Sequence, residues 1–221
     1  MQSQETERTT EILRILKRSF PVPEPPVLAG DPFKVLVRTI ISQSTAETNT
    51  RRAYENLSRR LSVTPEVLAE ADIKMVEDAL RVAGLYRNKS RTMVEVSSLI
   101  VKEFNGSLDF IHSLPLDEAR QKLMGLPGVG PKTADIVLLF SGKRPTLPID
   151  THVARVAKRL GLVPSKAGYE GIRGGLQSLY QPDEYYNVHM VFIALGRRFC
   201  KALKPNHVSC PVARLCPLSE I

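Results

Sequence analysis

Apolar residues recur along the chain at intervals of three and four, the spacing that lines one face of an α-helix. Ile12, Leu13, Leu16 and Phe20 form one such stripe, and the run Pro21-Val-Pro-Glu-Pro-Pro26 that follows predicts its end. Asp31-Pro32 reads as an N-cap followed by proline at the first helical position, opening a helix through Phe33-Lys-Val-Leu-Val-Arg-Thr-Ile-Ile41. Further starts are predicted at Thr64-Pro65-Glu66, at Asp72 and at Asp150-Thr151, with Gly84 and Gly161 suited to stopping helices. No alternating apolar and polar run is long enough to build a sheet, and no internal repeat or low-complexity segment is found. The pattern predicts an all-α protein of about ten short helices joined by short turns.

Composition narrows the class. The 221 residues allow one large domain or two small ones, with a core that needs no disulfide staples. Apolar runs such as Ile136-Val-Leu-Leu-Phe140 fall far short of the ~20 residues that cross a bilayer. The start MQSQETERTTEILRILKRSF has no signal-peptide core, so a soluble, intracellular protein with no membrane partner is expected. Lys and Arg number 31 against 23 Asp and Glu, a net charge of 31 − 23 = +8. Residues 1–150 contribute 21 − 19 = +2 and residues 151–221 contribute 10 − 4 = +6. A basic C-terminal third suits a polyanion that gains from counterion release, and it equally suits a solvated basic face. All three cysteines, Cys200, Cys210 and Cys216, fall in one segment, which favours metal ligation over a disulfide framework.

Residues 115–142 read as helix, glycine-punctuated turn, helix around Leu126-Pro-Gly-Val-Gly-Pro-Lys132. Gly128 and Gly130 flank Val129, so an apolar anchor sits between two positions where backbone can approach a ligand closely. Amides opening the second helix lack intrahelical acceptors and lie at a positive dipole end, a natural phosphate site. A tight helix-to-helix turn that binds nothing is the plainer reading of a bare Gly-x-Gly, and the full LPGVGPKTA string argues against it. Lys132 stands at the opening of that second helix, where a primary amine is favoured toward its neutral, nucleophilic form. Asp150, in Pro148-Ile149-Asp150-Thr151-His152, opens the next helix as a cap. Such a carboxylate can also stabilise cationic sugar character or move protons during C–N cleavage.

LPGVGPKTADIVLLF followed by LPIDTHVARVAKRLGL resembles the helix-hairpin-helix DNA glycosylases, the endonuclease III family in particular, over a stretch from Phe33 to Cys216. The resemblance implies two helical domains: a six-helix bundle at 26–144 carrying the hairpin, and a discontinuous domain of 1–25 and 145–221, with the active-site cleft between them. It implies that Lys132 attacks C1′ of a damaged nucleoside, that Asp150 supports departure of the base, and that the resulting Schiff base undergoes β-elimination. The implied activity is a bifunctional glycosylase and abasic-site lyase in base excision repair. It would act as a monomer on double-stranded DNA carrying oxidised pyrimidines or abasic sites. Two alternatives stay open: a mismatch, uracil or thymine glycosylase of the same fold, and a non-catalytic helix-hairpin-helix protein that binds DNA or abasic sites.

The same resemblance assigns Gln43, in Ile40-Ile41-Ser42-Gln43-Ser44-Thr45, to the space opposite an extruded base, and Leu85, in Gly84-Leu85-Tyr86-Arg87-Asn88-Lys89, to an apolar wedge. His152 matches a histidine beside the DNA backbone, and Arg87 and Lys89 are candidate phosphate contacts. The family pattern C-x6-C-x2-C-x5-C around a [4Fe–4S] cluster is matched in every spacing by Cys200, His207, Cys210 and Cys216, with histidine at the second place. Three thiolates and an imidazole suit iron–sulfur iron, and they equally form a structural zinc set; a lost or partial cluster is the third possibility. Cluster ligation with Cys3His donors is the leading expectation, since zinc motifs usually show shorter paired spacings. The loop would present Lys201, Lys204 and Arg214 to phosphates.

Overall fold

The computed structural model describes residues 2–25 and 27–219; Pro26, which ends the proline-rich run, lies outside the described residues, as do Met1, Glu220 and Ile221. Regular structure among the described residues is helical throughout: twelve α-helices, four short 3-10 turns and no strand. In chain order these are α1 (Gln2–Ser19), α2 (Pro32–Ser42), α3 (Glu47–Arg60), α4 (Pro65–Ala69), α5 (Ile73–Leu80), α6 (Tyr86–Phe104), α7 (Phe110–Ser113), α8 (Leu116–Met124), α9 (Pro131–Phe140), α10 (Thr151–Arg159), α11 (Tyr169–Leu179) and α12 (Tyr185–Arg198). The count exceeds the ten expected because α4 and α7 hold five and four residues, too short to show a helical period.

The caps form as their residue types require. Asp31 accepts hydrogen bonds from the Phe33 and Lys34 amides at 3.0 and 3.1 Å, and Pro32 fills the position where no donor is needed. Thr64 and Asp72 cap α4 and α5 in the same way. Gly161, just beyond α10, takes φ +64°, a left-handed conformation that ends the helix without Cβ strain.

The chain divides into two compact units, Pro26–Arg144 and Met1–Pro25 with Pro145–Ile221. The first holds α2 to α9: six helices of eight residues or more, and the two short ones. Its core is aliphatic, with Leu36, Ile40, Leu57, Leu80, Met93 and Ile100 fully buried. Each such side chain is worth roughly 1.5–3 kcal/mol on burial. Helix α9 packs on α2 and α8, so the hairpin rests on a helix most of whose residues are buried.

In the second unit α12 packs against α1 and α10. Ile12, Leu16 and Phe192 are fully buried there, and the Phe20 and Phe199 rings lie 6.2 Å apart. Lys17 pairs with Glu184 at 2.8 Å, and the Tyr186 hydroxyl donates to the Pro23 carbonyl at 2.9 Å, fastening the N-terminal segment onto the C-terminal helices.

Candidate active site

The hairpin is built from the inside. Leu126 and Val129 are buried, anchoring the turn, and the Val129 amide donates to the Leu126 carbonyl at 3.1 Å. Arg120 of α8 and Asp135 of α9 form a buried two-point ion pair at 2.9 and 3.2 Å that locks the two helices together. Gly128 has φ +72°, and a Cβ there would stand 2.4 Å from the Thr92 methyl, so both conformation and space demand glycine. Gly130 is different: its backbone is extended, and nothing lies within 4 Å of where a Cβ would stand. It N-caps α9 without a side chain and Pro131 follows, so no capping side chain occupies the first-turn amides of α9. Lys132, half-buried, occupies that first turn.

Gln43, just past α2, reaches the same turn, its side-chain amide donating to the Gly128 carbonyl at 3.1 Å. Leu85 is 63% exposed and held at φ +47°, a conformation a leucine adopts only when its surroundings impose it. Arg87 is exposed, with its guanidinium 5.5 Å from the Tyr86 ring. Lys89 corrects an expectation. It is 4% exposed, and its ammonium donates to the Ile41 carbonyl at 2.8 Å, the Ala83 carbonyl at 3.0 Å and the Thr45 hydroxyl. It therefore has no donor left for a phosphate, and burial pushes its pKa down.

In the second unit Asp150 N-caps α10, accepting from the Val153 amide at 2.7 Å, and stays partly accessible. The segment before it is clamped on both sides: the Ile149 amide donates to the Tyr169 hydroxyl at 3.3 Å, and His189 Nδ1 lies 2.9 Å from the Pro148 carbonyl. His152 packs on α12 where Gly196 leaves room, since a Cβ at Gly196 would sit 2.9 Å from that of His152. Burial lowers the His152 pKa, with Arg155 and Arg197 acting in the same direction and Asp150 opposing them.

Cys200, His207, Cys210 and Cys216 all line one cavity, walled by Leu160, Leu195, Phe199 and Val212. No three His, Cys, Asp or Glu side chains among the described residues converge as one metal ion would require. Burial raises the Cys210 pKa, and the neighbouring Cys216 and Cys200 add to that. Arg159 stands over the cavity, 3.5 Å from the Cys200 sulfur, and donates to the Lys201 and Ala202 carbonyls at 2.7 and 3.0 Å. Lys201, Lys204 and Arg214 are exposed on this loop.

Sequence reasoning missed three supports. Arg155 bonds the His152 ring at 3.0 Å and the Cys200 carbonyl at 2.8 Å, and Arg159 sits one turn later on the same helix face. Their spacing from His152 and from each other was the available signal. The Arg120–Asp135 pair, fifteen residues apart on two helices, carried none.

A glycine turn that exposes helix amides, with a lysine in the turn beyond, on an all-helical chain, is the scaffold of a helix-hairpin-helix DNA repair enzyme. The HhH-GPD superfamily of base excision DNA repair proteins matches residues 37–182. Endonuclease III of Thermotoga maritima is 34% identical over 186 residues, covering 84% of this chain and 83% of its own length. A solved structure of a trapped endonuclease III–DNA covalent intermediate superposes with a TM-score of 0.83 at 29% identity, covering 96% of this chain and 95% of that one. A thermostable thymine-DNA glycosylase superposes with a TM-score of 0.77 at 15% identity over 97% of both chains, a likeness of fold alone. The chain belongs to the HhH-GPD superfamily and, within it, to the endonuclease III family. Its activity is that of the family, DNA glycosylase and abasic-site lyase in base excision repair.

Proposed function

We propose that this enzyme excises oxidised pyrimidines from duplex DNA, with Lys132 as nucleophile and Asp150 as the carboxylate that supports departure of the base. The position of Lys132 carries the reading: it lies in the first turn of α9, two residues past a glycine over which nothing stands. The neutral Lys132 amine attacks C1′, and the C1′–N bond breaks with its electron pair leaving on the base, which takes up a proton. The lysine nitrogen then loses one proton and keeps the other, and O4′ takes up a proton as the sugar ring opens, giving a protonated, cationic imine. Removal of a C2′ proton expels the 3′ phosphate, and water hydrolyses the imine to free Lys132. Asp150, a partly accessible carboxylate at the mouth of α10, is suited to stabilising the positive sugar as the C1′–N bond lengthens. The trapped endonuclease III–DNA structure is by its description a covalent intermediate, which agrees with a lysine adduct here.

Binding of the duplex follows from the same features. The first-turn amides of α9 suit a phosphate, as does the exposed charge of Lys201, Lys204 and Arg214. Gln43 and the protruding Leu85 are suited to filling the gap left by an extruded nucleotide, with Arg87 beside them and His152 near the backbone. No helix among the described residues is long and apolar enough to cross a membrane. We take the enzyme to act as an intracellular monomer.

For the cofactor, the donor set fits a [4Fe–4S] cluster. Three thiols and one imidazole line a single cavity with apolar walls and a guanidinium beside one sulfur. Their spacing along the chain is that of a cubane loop, whereas zinc motifs usually show shorter paired spacings. When bound, the cluster would cross-link residues 200–216 and supply rigidity rather than a step of base excision. Near-stoichiometric iron and acid-labile sulfide support this assignment; zinc in their place overturns it.

Borohydride trapping on duplex DNA with an abasic site tests the catalytic reading. Wild type should give a covalent adduct that Lys132→Ala abolishes, and absence of a wild-type adduct removes Lys132 from the chemistry. Asp150→Asn should slow base removal about 100-fold or more while leaving DNA affinity nearly intact. Assaying duplexes with thymine glycol, uracil and a G·T mismatch separates oxidised-pyrimidine repair from the mismatch alternative.

A further inference from the structure

Lys89 is buried in the first unit, and the cost of taking its ammonium out of water is offset by three hydrogen-bond acceptors. Its three acceptors lie on two separate segments. The Ile41 carbonyl and the Thr45 hydroxyl flank Gln43, and the Ala83 carbonyl lies two residues before Leu85. Thr45 reinforces the link, its hydroxyl 2.6 Å from the Ala83 carbonyl and 3.1 Å from that of Gln43. The Lys89 amide also bonds the Leu85 carbonyl at 3.0 Å. Both segments hold left-handed residues other than glycine, Ser44 at φ +53° and Leu85 at φ +47°. Such backbone persists only where neighbouring contacts over-determine it.

We propose that Lys89 is a positioning residue that fastens the Gln43 segment to the Leu85 turn, so that the two duplex-opening side chains are presented at a fixed separation before DNA arrives. The inference rests on the roles proposed above for Gln43 and Leu85. Three hydrogen bonds from one ammonium group hold together residues 41–45 and Ala83, whose nearest members are 38 residues apart in sequence. Without them each segment can relax out of its left-handed kink, and Gln43 and Leu85 must then be ordered at the expense of binding energy. Catalysis at Lys132 itself does not need the clamp, so its loss is felt where a paired base must be opened and not where the site is already open.

The test compares two substrates in the full-length enzyme. For Lys89→Met, which keeps the apolar stem, single-turnover excision of thymine glycol from a fully paired duplex should fall about 10- to 100-fold. Borohydride trapping on single-stranded DNA with a preformed abasic site should stay within about twofold of wild type, because no stacked base has to be extruded. Equal losses on both substrates, or no loss on the duplex, overturn the proposal. Thr45→Val removes the hydroxyl relay with little change in volume, and it should give the same selective defect should Lys89→Met fold poorly. Gln43→Ala and Leu85→Ala separate the two layers of the argument. If they slow duplex excision and Lys89→Met does not, only the clamp is wrong. If neither slows it, the roles of Gln43 and Leu85 fall, and the clamp falls with them.

Discussion

The hairpin and the cysteine loop are both turns of irregular backbone that would meet DNA, yet they hold their shapes by opposite means. Residues 115–142 bury Leu123, Leu126, Val129, Ala134, Val137 and Leu138, so hydrocarbon packing fixes the turn and one internal ion pair sets its register. Residues 200–216 bury little beyond Val212 and Ala213, and Leu203 and Val208 point into solvent at 86% and 87% exposure. Guanidinium groups hold that loop instead: Arg155 on the Cys200 carbonyl, Arg159 on Lys201 and Ala202, and Arg8 on the Leu215 carbonyl at 2.8 Å. A turn with its own apolar anchor needs nothing added. One without leans on side chains from neighbouring helices, and the four donor side chains around its cavity would suit a further cross-link.

The contrast breaks most visibly at the hairpin. Asp135→Leu removes the carboxylate that faces the buried Arg120 and should cost about 3–5 kcal/mol in urea unfolding, and Arg120→Met added to it should recover most of the loss. A cost under about 1 kcal/mol would mean that the pair is not what sets the register. Arg159→Ala should act locally, lowering the protection of residues 200–204 by about 1–3 kcal/mol in amide exchange while that of α8 and α9 is unchanged. Uniform loss of protection would erase the distinction between the regions. Lys201→Ala and Lys204→Ala should each reduce the slope of log affinity against log salt by about 1, without altering lesion preference. The smallest effect concerns His152, whose folded-state pKa lies below its ordinary 6.5. As pH falls through 6.5 the unfolded chain binds the proton first, so stability declines until the folded-state pKa is passed. Arg155→Met removes one of the causes and should raise the His152 pKa in an NMR titration.

Much of the local architecture was legible from residue types. Asp31, Thr64, Asp72 and Asp150 each announce a helix because a short oxygen-bearing side chain satisfies amides that no other local group can reach. Gly128 was legible as a turn residue, though its second reason, the Thr92 methyl, was not. Lys89 was misread because a lysine beside Arg87 in a polar stretch has the pattern of a surface residue. Nothing local signals that a carbonyl 48 residues away and a hydroxyl 44 residues away await it.

The linear order of residues was enough to establish an all-helical chain, the hairpin with its lysine, the capping aspartate and the four-donor spacing, since each is set by interactions within a few residues. Folding settled which charges face water and which face carbonyls. Arg120, Arg155, Arg159 and Lys89 find partners fifteen to forty-eight residues away. Those pairings depend on which helix faces come to share a core, a property of the packed chain and not of any one segment.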